Sequence, residues 1–232
     1  MSLKASNNST TSSTTKTDIP ALEAGGYPAR LVQIVDLGIQ AQRPYQGEAK
    51  PDAQELLVTY ELSDEFLLDE DGNADTSKPR WLTETFPLFS LRAERAKSTQ
   101  RMLALDPKGE AEGDWSELLG KPCTVTIVAN AGKGKHVGRT FNNVAGLTAM
   151  RSKDADALAP MVNPGVVLDL DEPDMEAFSR LPDWIVARIE GGVHYSASKL
   201  AELRGGATVA APAAPVVTAP VVAAEVDEDC PF

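Results

Sequence analysis

Between Tyr27 and Val144 the chain carries five stretches with strand patterning, and one helical stretch falls between the third and the fourth. That order limits the fold more than any compositional figure does. Tyr27–Gly38 places Leu31, Val32, Ile34, Val35 and Leu37 so that both faces are partly buried, as in a small barrel. Gln54–Leu62 alternates, with Leu56, Val58, Tyr60 and Leu62 on one face and Glu55, Leu57, Thr59 and Glu61 on the other. Arg80–Leu88 sets Trp81, Thr83 and Thr85 against Leu82, Glu84, Phe86 and Leu88. Ser90 then caps a helix over Leu91–Leu105, made basic by Arg92, Arg95, Lys97 and Arg101 and ended by Asp106-Pro107. Asp114 caps a short turn in which Trp115 plugs the core. Leu119–Val128 and Val137–Val144 complete the set, joined by the Gly/Lys-rich hairpin Asn130–His136.

The expected fold is mainly β. Its element order is that of an OB-like five-stranded Greek-key barrel with a helix between strands three and four. Residues 27–153 form this barrel. Residues 1–26 are a Ser/Thr/Asn-rich arm too poor in apolar side chains to order itself. Residues 154–206 form a small helical appendage packed on the barrel, with a short apolar run at Val166–Leu170 and helices over Asp174–Arg180, Leu181–Glu190 and Ser198–Leu203. Phe178, Leu181, Trp184, Ile185 and Ile189 make its apolar side. Residues 207–232 are a disordered Ala/Val/Pro linker and an acidic tip.

The formal net charge is −12, but it is segregated. Tyr27–Thr76 holds three basic and eleven acidic residues, Ser77–Lys153 thirteen basic and seven acidic, and Asp154–Gly206 four basic and ten acidic. A ligand responds to the local field, so the positive middle keeps nucleic acid in play, and the acidity of the appendage suits a face away from it. No apolar run reaches the roughly 20 residues of a membrane span, and no secretory leader is expected at the N-terminus. Cys123 and Cys230 read as free thiols of a reducing compartment.

Catalytic and cofactor patterns fail on spacing. In Gly132-Lys-Gly-Lys-His-Val-Gly no Ser or Thr follows a lysine, and the glycines do not fit a dinucleotide loop. Asp69-Glu-Asp-Gly-Asn lacks the glycine and the acid that a calcium loop needs at its sixth and twelfth positions. Two histidines and two distant cysteines make no zinc spacing. Neither a metal nor another cofactor is expected, and the protein reads as a non-enzyme. What does combine is flat rings with cations: Arg43, Tyr45 and Lys50; Arg80 and Trp81; Lys133, Lys135, Arg139 and Phe141. Cations meet a phosphate backbone and rings stack on unpaired bases, so these nine are the candidate DNA contacts.

The chain ends Glu225-Val-Asp227-Glu228-Asp229-Cys230-Pro231-Phe232. An acidic run closed by a small residue, Pro and a Phe carboxylate resembles the C-terminal tip of bacterial and phage single-stranded-DNA-binding proteins, with Cys230 where Ile or Leu is usual. Tyr27–Lys153 resembles the OB barrel of the phage-encoded members, and Phe141-Asn-Asn-Val is similar to strands of phage DNA-associated proteins. The resemblance implies a protein of the host bacterial cytoplasm that coats single-stranded DNA during replication or recombination. It also implies that Asp227, Glu228, Asp229, Pro231 and Phe232 recruit replication and recombination proteins. Homo-oligomers are compatible with it. The alternatives are a strand-annealing or recombination protein, and an accessory of a phage enzyme with an acidic tail.

Overall fold

β1 (Gly25–Gln40) is the strand around which the structure, a computed structural model, is arranged. The structure describes residues 19–134 and 137–205. From Gly25 to Arg30, β1 pairs antiparallel with β4 (Pro122–Ala131). From Ala29 onward it pairs antiparallel with β2 (Ala53–Leu68). A register shift between Leu31 and Gln33 marks the bulge at which β1 leaves β4. The vacated edge is taken by β6 (Val166–Leu168), which lies parallel to Gln33–Val35. β2 also pairs with β3 (Ala74–Pro87), and β4 with β5 (Thr140–Ala149), giving the order β3-β2-β1-β4-β5 with β6 beside β1.

The protein is therefore mainly β, but among the described residues its sheet is open and has six strands, where the sequence led to an OB-like five-stranded Greek-key barrel. The end strands β3 and β5 approach within 8 Å, Cα to Cα, and no ladder joins them among the described residues. Three residues of β6 carry too little periodicity to announce a pairing in sequence.

Neighbouring side chains of β1 and β2 enter different cores. Leu31, Ile34, Leu56, Val58, Tyr60 and Leu62 turn inward to Phe86, Met102, Leu105, Trp115, Cys123, Val125 and Ile127. Val35, Leu37 and Leu57 turn outward to Leu168, Leu170, Phe178, Leu181, Ile185, Ile189 and Leu200. The two-faced apolarity of β1 thus has its cause in the C-terminal unit. That unit comprises α2 (Ser152–Ala157), α3 (Met175–Ser179), α4 (Asp183–Glu190) and α5 (Lys199–Leu203) around β6, with Asp174 and Ser198 capping α3 and α5 through their side chains. Ile185 and Ile189, one turn apart, are buried. Trp184 is 56% exposed, contrary to its expected place on the apolar side. One residue before Ile185 lies about 100° around the helix, outside the buried stripe.

α1 (Lys97–Leu105) is shorter than the Leu91–Leu105 expected. Residues 91–96 form turns, with Ala93 N–H donating to Ser90 C=O and Ala96 N–H to Ala93 C=O. Ser90 is not the cap, and Ala96 at the cap position makes no side-chain bond. Leu91 is exposed, so no buried stripe draws this segment into the helix, and short helices owe their stability mostly to burial. Arg101 also leaves the expected basic surface. It is buried, its Nε and Nη2 donating to Glu84 at 2.8 and 3.2 Å. Tyr60 Oη donates to the same carboxylate at 2.9 Å, and Lys97 Nζ lies 2.7 Å from it.

At the N-terminal end, residues 19–26, expected to belong to an unordered arm, are packed on the body. Leu22 is buried, its N–H donating to Asn142 Oδ1 at 2.8 Å and its C=O accepting from Asn142 Nδ2 at 2.9 Å. On β4, burial pushes the Cys123 thiol up to about 12. Since the thiolate is the reactive species, Cys123 in a Cys230→Ser variant should stay unlabelled by a thiol reagent at pH 8 until denaturant is added. Stoichiometric labelling of the native protein would contradict the burial.

Candidate nucleic-acid interface

The loop between β1 and β2 is folded back on itself. Tyr45 and Glu48 exchange backbone hydrogen bonds of 2.9 Å in each direction. Between them Gln46 and Gly47 both have positive φ, 51° and 88°, as a tight two-residue hairpin turn requires. This sets Tyr45 on a small rigid tip, 60% exposed, with Lys50 Nζ 4.8 Å from its ring centroid. Arg43 lies in the adjoining cleft of about 460 Å³, walled by Thr85 and Pro87 of β3 and by Arg188 of α4.

Arg80 and Trp81, neighbours in sequence, go to opposite faces of β3. Arg80 lines a groove of about 810 Å³ with Leu22, Tyr27 and Phe66. Glu23 and Glu65 share this lining with Arg80 and with Lys78, whose Nζ pairs with Asp75 at 2.8 Å. The Tyr27 phenol is shifted upward, first by desolvation and then by Glu65, Glu23 and Asp64, with Arg80 opposing. This groove is apolar and near neutral. Trp81 faces outward, 46% exposed, and its Nε1 donates to Glu61 at 3.2 Å. Glu61 is buried and also accepts from Val162 N–H (2.6 Å), Asn163 N–H (3.2 Å) and Asn163 Nδ2 (2.7 Å). One carboxylate thus clamps residues 162–163 over the sheet and fixes the indole edge. Beside it Thr59 Oγ1 bonds Gln33 at 2.9 Å and Thr83 at 3.0 Å, a polar row across three strands.

In the β4–β5 hairpin, Gly132 N–H donates to Arg139 C=O at 2.7 Å. Lys133 and Arg139 are exposed, and Phe141, opposite Asn130 on β5, is 42% exposed. Lys135 falls outside the described residues, as do Asp227, Glu228, Asp229, Pro231 and Phe232.

The eight candidates among the described residues therefore occupy distinct parts of the surface. Arg43, Tyr45 and Lys50 share one loop and its cleft, Trp81 stands on the outer face of β3, Arg80 lies behind it, and Lys133, Arg139 and Phe141 belong to the β4–β5 hairpin. Two participants escape a reading of the sequence. Glu61 looks like an ordinary outward acid of an alternating strand, and Arg188 sits in an acidic segment.

Neither a family model nor a curated protein matches this chain. Among the described residues no three His, Cys, Asp or Glu side chains are grouped to hold a metal ion, and no helix is long and apolar enough to cross a membrane.

Proposed function

We propose that the protein binds single-stranded DNA without catalysing a reaction on it, through an OB-like body whose sheet curls towards a barrel. The observation that carries the reading is the tip of the β1–β2 loop, where a largely exposed Tyr45 ring is held beside Lys50 and Arg43. An exposed ring costs little to desolvate against a base, and a cation next to it meets the adjoining phosphate. Trp81, anchored at one edge by Glu61, and Phe141, near Lys133 and Arg139 in sequence, supply further flat surface of the same kind. In OB-type binders the face of strands two and three and the loops between strands one and two and between four and five carry the ligand, and the reading is supported by Tyr45 on the β1–β2 loop, Trp81 on β3 and Phe141 at the start of β5. The acidic tip recruits replication and recombination proteins, a reading that rests on its sequence alone.

Titration of fluorescent oligo-dT against the matching duplex tests this. Tighter binding of the single strand is expected, with log K falling against log salt by about 0.7 for each phosphate neutralised. A flat salt response, or equal affinity for the duplex, would remove the proposal. Catalysed annealing of complementary strands would move the assignment to a recombination protein.

A further inference from the structure

The C-terminal helical unit is acidic, which argues for a face away from nucleic acid. One of its few cations is placed otherwise. The end of α4 is locked to the end of β1: Val193 N–H donates to Ile39 C=O at 2.8 Å, and buried Gln40 donates through Nε2 to Leu37 C=O at 2.6 Å and Arg188 C=O at 3.1 Å. Gly192 permits this approach, since a Cβ there would lie 3.1 Å from Gln40 Nε2 and 3.3 Å from Ile39 C=O. The lock sets Arg188, on the last turn of α4, against the base of the β1–β2 loop. There Nη2 of Arg188 donates to Glu55 Oε2 at 2.6 Å. Glu55 is buried, and its other oxygen accepts from Gln42 Nε2 at 2.9 Å.

We propose that the cleft between the β1–β2 loop, β3 and α4 is a subsite for one nucleotide unit of a single strand, with Arg188 and Arg43 on its phosphate and Tyr45 under its base. The proposal rests on the single-strand-binding reading and assigns the helical unit a part in it. Among the described residues three cations, Arg43, Lys50 and Arg188, face one anion, Glu55, in this cleft. The larger groove near Tyr27 has two of each sign and is not suited to an anion. The Arg188 side chain is 47% exposed while one nitrogen is pinned by Glu55, so the rest of its planar fork is oriented before any ligand arrives. A volume of about 460 Å³ falls in the size range of small-ligand clefts. Lys50 covers one face of Tyr45, and the base takes the other.

The full chain is titrated with oligo-dT at several salt concentrations. Arg188→Gln is expected to weaken binding about 3- to 10-fold and to make the salt slope shallower by about 0.7, the loss of one phosphate contact. Because Glu55 is buried, Arg188→Gln alone is expected to lower the melting temperature as well. The double change Glu55→Gln/Arg188→Gln leaves the net charge unaltered and no buried carboxylate unpaired, and it should show the same two losses. Tyr45→Ala combined with Arg188→Gln should cost less than the product of the single effects, because both act on one nucleotide. Arg180→Gln, which removes a cation paired with Glu176 on the same unit, should bind as the wild type does. Wild-type affinity and slope in the Glu55→Gln/Arg188→Gln protein would overturn the subsite and leave the function standing. An equal loss in Arg180→Gln would reduce the effect to overall charge and also overturn it. A wild-type protein with no preference for oligo-dT over duplex would overturn both.

Discussion

Arg101→Met is expected to lower the unfolding free energy by about 3–5 kcal/mol, the range for removing one partner of a buried ion pair. Glu84 sits on the core face of β3, and both its oxygens are engaged by Arg101. Its remaining partners are Tyr60 and the half-exposed Lys97. Without Arg101, a carboxylate stays in a mostly apolar setting beside Phe86 and Tyr60 with one cation at its edge. Since domains of this kind have total stabilities of about 5–15 kcal/mol, the change removes a large share. Urea unfolding should show a lower midpoint with an unchanged slope. Glu84→Gln added to Arg101→Met should recover much of the loss, because the amide oxygen still accepts from Tyr60 and no charge is left buried. A loss below about 1 kcal/mol for the single change would mean that the pair behaves like a surface contact.

Tyr45→Ala and Trp81→Ala should each weaken oligo-dT binding by about 1–3 kcal/mol, or about 5- to 150-fold, the usual worth of one stacked base. Neither should alter the salt slope, because no cation is removed. Both rings are about half exposed or more, so stability should hardly change. Loss of Trp81 removes a single 3.2 Å hydrogen bond from Glu61, which keeps three other donors. Phe86 and Trp115 are the contrast: they pack with ring centroids 5.5 Å apart in the core, and Phe86→Ala should cost about 3–5 kcal/mol of stability. Anisotropy titrations and melting curves of the four proteins separate stacking from packing. Wild-type affinity in Tyr45→Ala and Trp81→Ala together would sink the stacking role of both rings.

Alternation and turn residues determined much of this protein without any tertiary information. The five main strands, the helix between the third and the fourth, and the core positions of Tyr60, Phe86, Trp115 and Cys123 all follow from side-chain period and local chemistry. These signals lie within about ten residues of chain. The exposed tip at Tyr45 was equally legible, because a Pro- and Gly-bearing loop rarely enters a core.

Tertiary structure alone decided whatever depends on which distant element lands opposite. The apolar outer face of β1 could belong to a closed barrel or to a strand under a helical cover, and the packing of Leu168, Ile185, Ile189 and Leu200 against it settles the matter. Arg101 carries the same local pattern as a solvated helix cation and is buried because Glu84, seventeen positions earlier, faces it. Arg80 and Trp81 form one motif in sequence and two separate surfaces in space, because β3 turns consecutive side chains to opposite faces. Arg188 reaches the β1–β2 loop only because Gln40 and Gly192 lock α4 to the end of β1 across 148 positions of chain. Period and propensity are properties of a short window. The partner of a buried charge or an exposed ring is set by chain closure over distances no window contains.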